Sequence, residues 1–314
     1  SCGEMSPAEL ASRVLTLNYF HRITPDDYRV LLHHLIQTDH IQLTEKGGLI
    51  VGLAGERVIN SFKFYGVFQE SEEYTVRSES QELGTVVAPP PPGEKIALAG
   101  HVWRVLEVDR KRHLIYCEMV KGKVPAYFGE CPGDLHTKVL KRMRQVLRED
   151  TLYPYLMKNA VSRLTQARCT ATQSGAADEN LIFLGGKMWC FIPWLGTYGF
   201  LAMERFLRLK CGDKLGLKNL DPFRPFFMQF TMEADAPTFY AVLREEGEKL
   251  NNPMDLVYPN EVPLFDKYDE YLPEELVKKG FAYGVLRMDE VKDFCRSLSA
   301  EKARPAELVD GAPS

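Results

Sequence analysis

"GHVWRVLEVDRKRHLIYCE", residues 100–118, reads as strand, tight turn, strand: two runs rich in β-branched and aromatic residues flank a polar turn. Trp103 stands in the first run among alternating apolar positions and is expected in a core. The turn carries Arg110, Lys111, Arg112 and His113 in a row, although the chain as a whole has a net charge of -4. Upstream of it, "FKFYGVF", "EYTVRS", "ELGTVVA" and "KIALAGHVWRVLEVD" also read as strands, with the proline run 89–92 as a loop or edge crossing. Residues 61–132 are therefore expected to form a small β-barrel or a bent antiparallel sheet.

Helical signals lie on both sides. "SPAEL" and "TPDDY" each place a capping Ser or Thr before proline and an acid three residues on, which starts helices at Ser6 and Thr24. After the second helix, "IQLTEKGGLIVG" reads as two short strands around Gly47 and Gly48. Helix, helix, hairpin is the winged-helix order, so 1–60 is expected as a winged-helix domain. Beyond the barrel, "DLHTKVLKRMRQVLRE" puts Leu135, Val139, Leu140, Met143, Val146 and Leu147 on one face and Lys138, Lys141, Arg142, Gln145 and Arg148 on the other. "LYPYLMKNAVSRLTQAR" reads as a further helix, "NLIFLGGKMWCFIP" as a hairpin, "TYGFLAMERFLRLK" as a helix, "FFMQFTM" as a strand, and "PTFYAVLREEGEKL" and "LPEELVKKGFAYGVL" as the last helices. Residues 133–300 are thus a helix-rich α+β part, 301–314 a polar tail, and the fold class is α+β.

Composition excludes several classes. Apolar residues at 45% and charged ones at 26% fit a packed globular chain and neither a disordered nor a fibrous one. The seven cysteines, at 2, 117, 131, 169, 190, 211 and 295, include no C-x-x-C pair, which points away from zinc and towards thiols of a reducing cytoplasm. The longest uncharged stretch, "MWCFIPWLGTYGFLAM", is short for a membrane span and is broken by Pro193, Gly196 and Gly199. No P-loop is present: "LIFLGGKM" lacks the first glycine and the Ser or Thr that holds magnesium. No G-x-S-x-G elbow, H-E-x-x-H helix or G-x-G-x-x-G turn occurs. His33 and His34 read as ordinary mid-helix residues, and the acids of "MDEV" at 288–291 as a helix start or loop. The opening at Ser1, directly before a helix signal, reads as a piece of a longer polypeptide.

The charge map is uneven. Residues 101–170 hold fourteen Lys or Arg against seven Asp or Glu, so the basic character is local in an acidic chain. Such a belt is the footprint of a polyanion partner, because phosphate neutralisation by Lys and Arg drives most nucleic-acid affinity. Lys138, Lys141, Arg142, Arg144, Arg148 and Arg163 are the helical candidates, and Arg110, Lys111 and Arg112 the turn candidates. The turn contacts phosphate if it shares a channel with the basic helix, and is otherwise a solvated turn protecting a sheet edge.

The runs "GERVINSFKFYGVFQESEEYTVRSESQELGTV", "LAGHVWRVLEVDRKRHLIYCE", "VPAYFGE" and "DKYDEYLPEELVKKGFAYGVLRMDEV", in this order, resemble the region that follows the two RecA-like domains in Lhr-type (large helicase-related) superfamily 2 ATP-dependent helicases. The resemblance implies a winged helix and a β-barrel with a helix-rich part that enclose single-stranded DNA or RNA together with the ATPase lobes of the same polypeptide. It places ATP and magnesium in those upstream lobes and leaves this chain without a cofactor or metal. It also puts Phe128, beside Tyr127, at a base-stacking position, and Trp194 and Tyr198 in a strand-contacting segment. Two other readings stand beside it. The related architecture of crosslink-unhooking DNA glycosylases points to a base-acting enzyme, with Gln229 nearest to their Gln-x-Gln motif; a winged helix can also serve a protein-interaction module that binds no nucleic acid.

Overall fold

Ser6 caps the first helix, α1 (Pro7–Leu15), by accepting from the Glu9 amide at 3.2 Å. Thr24 caps α2 (Pro25–Gln37) in a reciprocal box with Asp27. An antiparallel hairpin follows, β1 (Ile41–Leu43) on β2 (Leu49–Val51), with Ile41 opposite Val51, and then α3 (Leu53–Ile59). The computed structural model describes residues 3–66, 73–79, 81–86, 92–93, 95–109, 112–121 and 134–301. Its contacts divide the chain into two compact units, Arg57–Gly133 and the remainder, Ser1–Glu56 with Asp134–Ser314.

The N-terminal helices do not stand as a separate 1–60 domain. Helices α1 and α2 and the β1–β2 hairpin belong to the unit of the C-terminal part, and named contacts explain why. Lys279 donates to both oxygens of the Asp27 carboxylate at 2.7 Å, Arg22 donates to the Tyr283 carbonyl at 3.1 Å, and the His40 and Tyr271 rings meet edge to face at 5.2 Å. Burial acts to raise the Asp27 pKa, but the hydrogen bonds from Lys279 and Thr24 outweigh it and hold the carboxyl below its usual value.

In the Arg57–Gly133 unit, β3 (Tyr74–Ser78), β4 (Gln81–Val86), β5 (Lys95–Leu98), β6 (His101–Asp109) and β7 (Leu114–Met119) form one sheet in the order β4-β3-β7-β6-β5. The sheet is mixed, not wholly antiparallel, since β3 runs parallel to β7 with Val76 opposite Ile115. It curls on itself. A Cβ placed on Gly84 of edge strand β4, where φ is +145°, would lie 3.6 Å from Leu98 of the other edge strand, β5. Tyr74, Val76, Ile96, Trp103, Val105, Ile115 and Cys117 fill the concave side. Trp103 is 4% exposed and donates its indole N–H to the Leu98 carbonyl at 2.9 Å. Two strand expectations need correction. Phe62–Tyr65 of "FKFYGVF" is a 3-10 helical turn, with Val67 and Phe68 outside the described residues, and "KIALAGHVWRVLEVD" is two strands because Ala99 and Gly100 turn the chain with positive φ.

The C-terminal part builds on a second sheet. Helices α4 (Thr137–Arg148) and α5 (Lys158–Ser174) precede β8 (Leu181–Gly185) and β9 (Met188–Phe191). Then come α6 (Thr197–Phe206), a π-helical stretch Leu207–Cys211, α7 (Gly212–Leu215), β10 (Lys218–Phe223), β11 (Phe227–Thr231), α8 (Ala236–Lys249), α9 (Glu274–Gly284) and α10 (Met288–Glu301). The sheet is antiparallel in the order β10-β11-β9-β8. Met228 and Phe230 alternate inward along β11, and Phe191 of β9 meets Phe239 of α8 and Phe294 of α10 at 5.3 and 5.7 Å. With Phe200, Met203 and Phe206 of α6 these rings form the main core. Helix α10 lies beyond the helices read from the sequence, and the acids of "MDEV" prove to start it rather than to form a loop; Val291, Cys295 and Leu298 bury at helical spacing. Among the described residues no helix is long and apolar enough to cross a membrane.

Candidate nucleic-acid interface

The basic helix α4 is fixed at its first turn. His136 caps it by accepting from the Lys138 amide at 3.0 Å, and Thr137 donates to Glu290 while accepting from the Gly196 amide at 2.8 Å. Gly196 has no room for a side chain here, because a Cβ would stand 2.2 Å from the Leu135 carbonyl oxygen. Thr197 closes the contact in both directions with Leu135 at 2.9 Å. Tyr198 donates to Asp134 at 2.6 Å, and that bond, with burial, pushes the phenol up to about 12.

Three arginines then tie α4 to α5 and to the turn that follows it through backbone carbonyls. Arg144 donates to Ala177 at 2.8 Å and Asp178 at 2.7 Å, and Arg148 donates to the same Ala177 carbonyl at 2.8 Å and pairs with the Asp178 carboxylate at 3.1 Å. From α5, Arg168 donates to the Val146 and Thr151 carbonyls at 2.8 and 3.0 Å. Carbonyls at helix ends lack intrahelical donors, and a forked guanidinium satisfies two at once. Arg144 and Arg148, expected as strand contacts, are thus committed to the fold. The expected apolar face is also rotated: Thr137 and Leu140 are buried and Arg144 and Leu147 half-buried, whereas Val139 and Met143 are exposed.

What remains on the outer side is a stripe at helical spacing: Lys138, Lys141, Arg142 and Gln145, all exposed. Among the described residues the Lys138 and Lys141 ammonium groups have no partner, nor does exposed Arg163 on α5. Arg142 donates to Glu149 at 2.8 Å and to the Tyr153 hydroxyl at 3.0 Å, and Tyr153 also donates to Glu149. Glu149 is held below its usual carboxylate value by those bonds, that from Tyr153 first, and Tyr153 is raised chiefly by the same bond.

Other expected contacts fall elsewhere. Trp194 is 6% exposed, with the Arg144 guanidinium 5.8 Å from its ring, so it presents no face to a base. Phe128, Tyr127, Arg110 and Lys111 lie outside the described residues. Arg112 is exposed; its amide donates to Asp109 at 3.0 Å, closing the turn, while His113 stacks on Tyr74 at 5.1 Å. That turn joins β6 and β7, both interior strands, so it protects no sheet edge. The glycines of "LIFLGGKM" make the β8–β9 hairpin turn, and Lys187 pairs with Glu233. Among the described residues no group of three His, Cys, Asp or Glu side chains could hold a metal.

Sequence reasoning missed the connection between α4 and α5. The sequence pattern predicts helix through "LYPYLM", but α5 starts only at Lys158, because Pro154 disfavours helical backbone at Tyr153. Leu152, Tyr155 and Met157 are 62, 77 and 76% exposed there. Pro154 between two tyrosines was the available signal. Compared with protein families, with curated proteins and with solved structures, the chain finds no match in any of the three.

Proposed function

We propose that this chain is the nucleic-acid-binding accessory region of an Lhr-type superfamily 2 helicase of the cytoplasm, which helps to enclose and track single-stranded DNA or RNA for RecA-like ATPase lobes carried on the same polypeptide. ATP and magnesium belong to those lobes. The observation that carries the reading is the stripe Lys138, Lys141 and Arg142 on a helix held rigid at both ends. Lys138 and Lys158 lie in the first turns of α4 and α5, where the helix dipole opposes a cation, so local stability does not account for them. A phosphate backbone does: each neutralised phosphate releases condensed counterions, and two unpartnered lysines on one rigid stripe are available for that exchange.

The test is fluorescence anisotropy of the chain with labelled oligo(dT) and oligo(rU) across a salt series. Binding at low salt, with log affinity falling linearly in log salt, is expected. Absence of binding to both strands at low salt contradicts the reading and favours a protein-interaction module.

A further inference from the structure

We propose that Tyr155, stacked on Tyr153, is a base-stacking platform for single-stranded nucleic acid at the end of the α4 cation stripe. The proposal rests on the nucleic-acid reading above and adds to it a site for the bases rather than the phosphates. The two rings lie 5.5 Å apart at 19°, and the outer one, Tyr155, is 77% exposed. An exposed aromatic on a loose loop would be unremarked surface, but this one is built in. Tyr153 is tied to Glu149 and Arg142, Glu149 closes the end of α4 through its amide to Gln145 at 3.0 Å, and Arg168 holds the Thr151 carbonyl at 3.0 Å. The platform therefore has a fixed orientation, which lowers the ordering cost of stacking.

Arg142 links the two halves of the site. It stands at i+4 from Lys138 in the cation stripe, and its guanidinium reaches Tyr153 at 3.0 Å. A strand whose phosphates run along Lys138 and Lys141 arrives at the tyrosines with a base free to stack. Charge selects the occupant. Residues 137–174 hold eight Lys or Arg and only two acids, Glu149 and Asp150, and Glu149 is neutralised by Arg142. Leu152 and Met157, near the tyrosines in sequence, are exposed as well and offer apolar surface that demands no particular base, as sequence-tolerant strand binding requires.

Stacking and phosphate contact have different salt signatures, which makes the proposal testable. Tyr155→Ala should weaken oligo(dT) binding by about tenfold with an unchanged salt slope, and Tyr155→Phe should bind as wild type, since the ring and not the hydroxyl acts. In the wild-type chain, an iodouridine strand should photocross-link to the peptide containing residues 149–157. Binding by wild type with no loss in Tyr155→Ala, or cross-links that avoid that peptide, overturns the platform and leaves the nucleic-acid reading intact. A loss accompanied by a flattened salt slope also overturns it, by making Tyr155 a support for the cations. Failure of wild type to bind either strand removes both.

Discussion

Helices α6 and α4 lie in one compact unit and both carry arginines, but they use them differently. On α6, Arg205 has an 8% exposed side chain, donates to both oxygens of Glu261 at 2.6 Å and sits between the Tyr258 and Phe281 rings at 4.8 Å each. Its neighbour Glu204, 5% exposed, receives Arg208 at 3.2 Å and Arg224 at 2.9 Å. On α4, Arg144 and Arg148 meet backbone carbonyls, Arg142 pairs with Glu149, and the lysines of the outer stripe meet nothing described. The contrast separates cations that hold the fold from cations left over for a partner. A count of basic residues along the sequence merges the two.

The sharpest way to break the contrast is at Arg205. Arg205→Ala strands Glu261 in a partly buried site and removes packing against two rings, so a loss of about 3 kcal/mol is expected in urea unfolding. A loss no larger than that of an exposed lysine would erase the distinction. Next in size is Arg144→Ala, which leaves the Asp178 carbonyl only the longer 3.4 Å bond from Arg148 and should cost about 1–3 kcal/mol. Arg144→Lys should rescue only part of it, because an ammonium cannot bridge Ala177 and Asp178 as a fork does.

Acid sharpens the same comparison. The Arg205 guanidinium holds Glu261 below its usual pKa, so the pair's stabilisation is present above the unfolded value of about 4.3 and is lost as pH falls through the folded one. The difference in urea midpoint between wild type and Glu261→Gln should therefore be largest near neutrality and close on acidification. A gap that persists well below pH 4 would contradict this assignment. Smallest of all, Lys138→Gln with Lys141→Gln should leave stability within about 0.5 kcal/mol.

How much of this was legible depends on the range of the interactions involved. Caps at Ser6 and Thr24, the β6–β7 and β8–β9 hairpins and the core place of Trp103 follow from neighbours in sequence, and the sequence reading contained them. Strand β10 was missed because Pro222 and Asp221 argue against a strand, and an edge position tolerates them. The separate winged-helix domain was expected because its own order of elements is complete; the Asp27–Lys279 pair that joins it to α9 leaves no local mark. The site divides in the same way. The basic belt is visible in composition, but that Arg144 and Arg148 turn to the Ala177–Asp178 carbonyls while Lys138 and Lys141 do not is decided by the packing of α5 against α4. Tyr155 was hidden by reading its segment as helix through Pro154.

The proposed function requires that the lysine stripe of α4 contact phosphate. It is tested most directly by the salt dependence of oligo(dT) affinity for wild type and for Lys138→Gln with Lys141→Gln. Weaker binding at low salt, convergence with wild type as salt rises, and a slope flatter by about 0.7 for each lysine that meets a phosphate are expected. Equal affinity and equal slope in the two proteins, with matching circular dichroism, would contradict it.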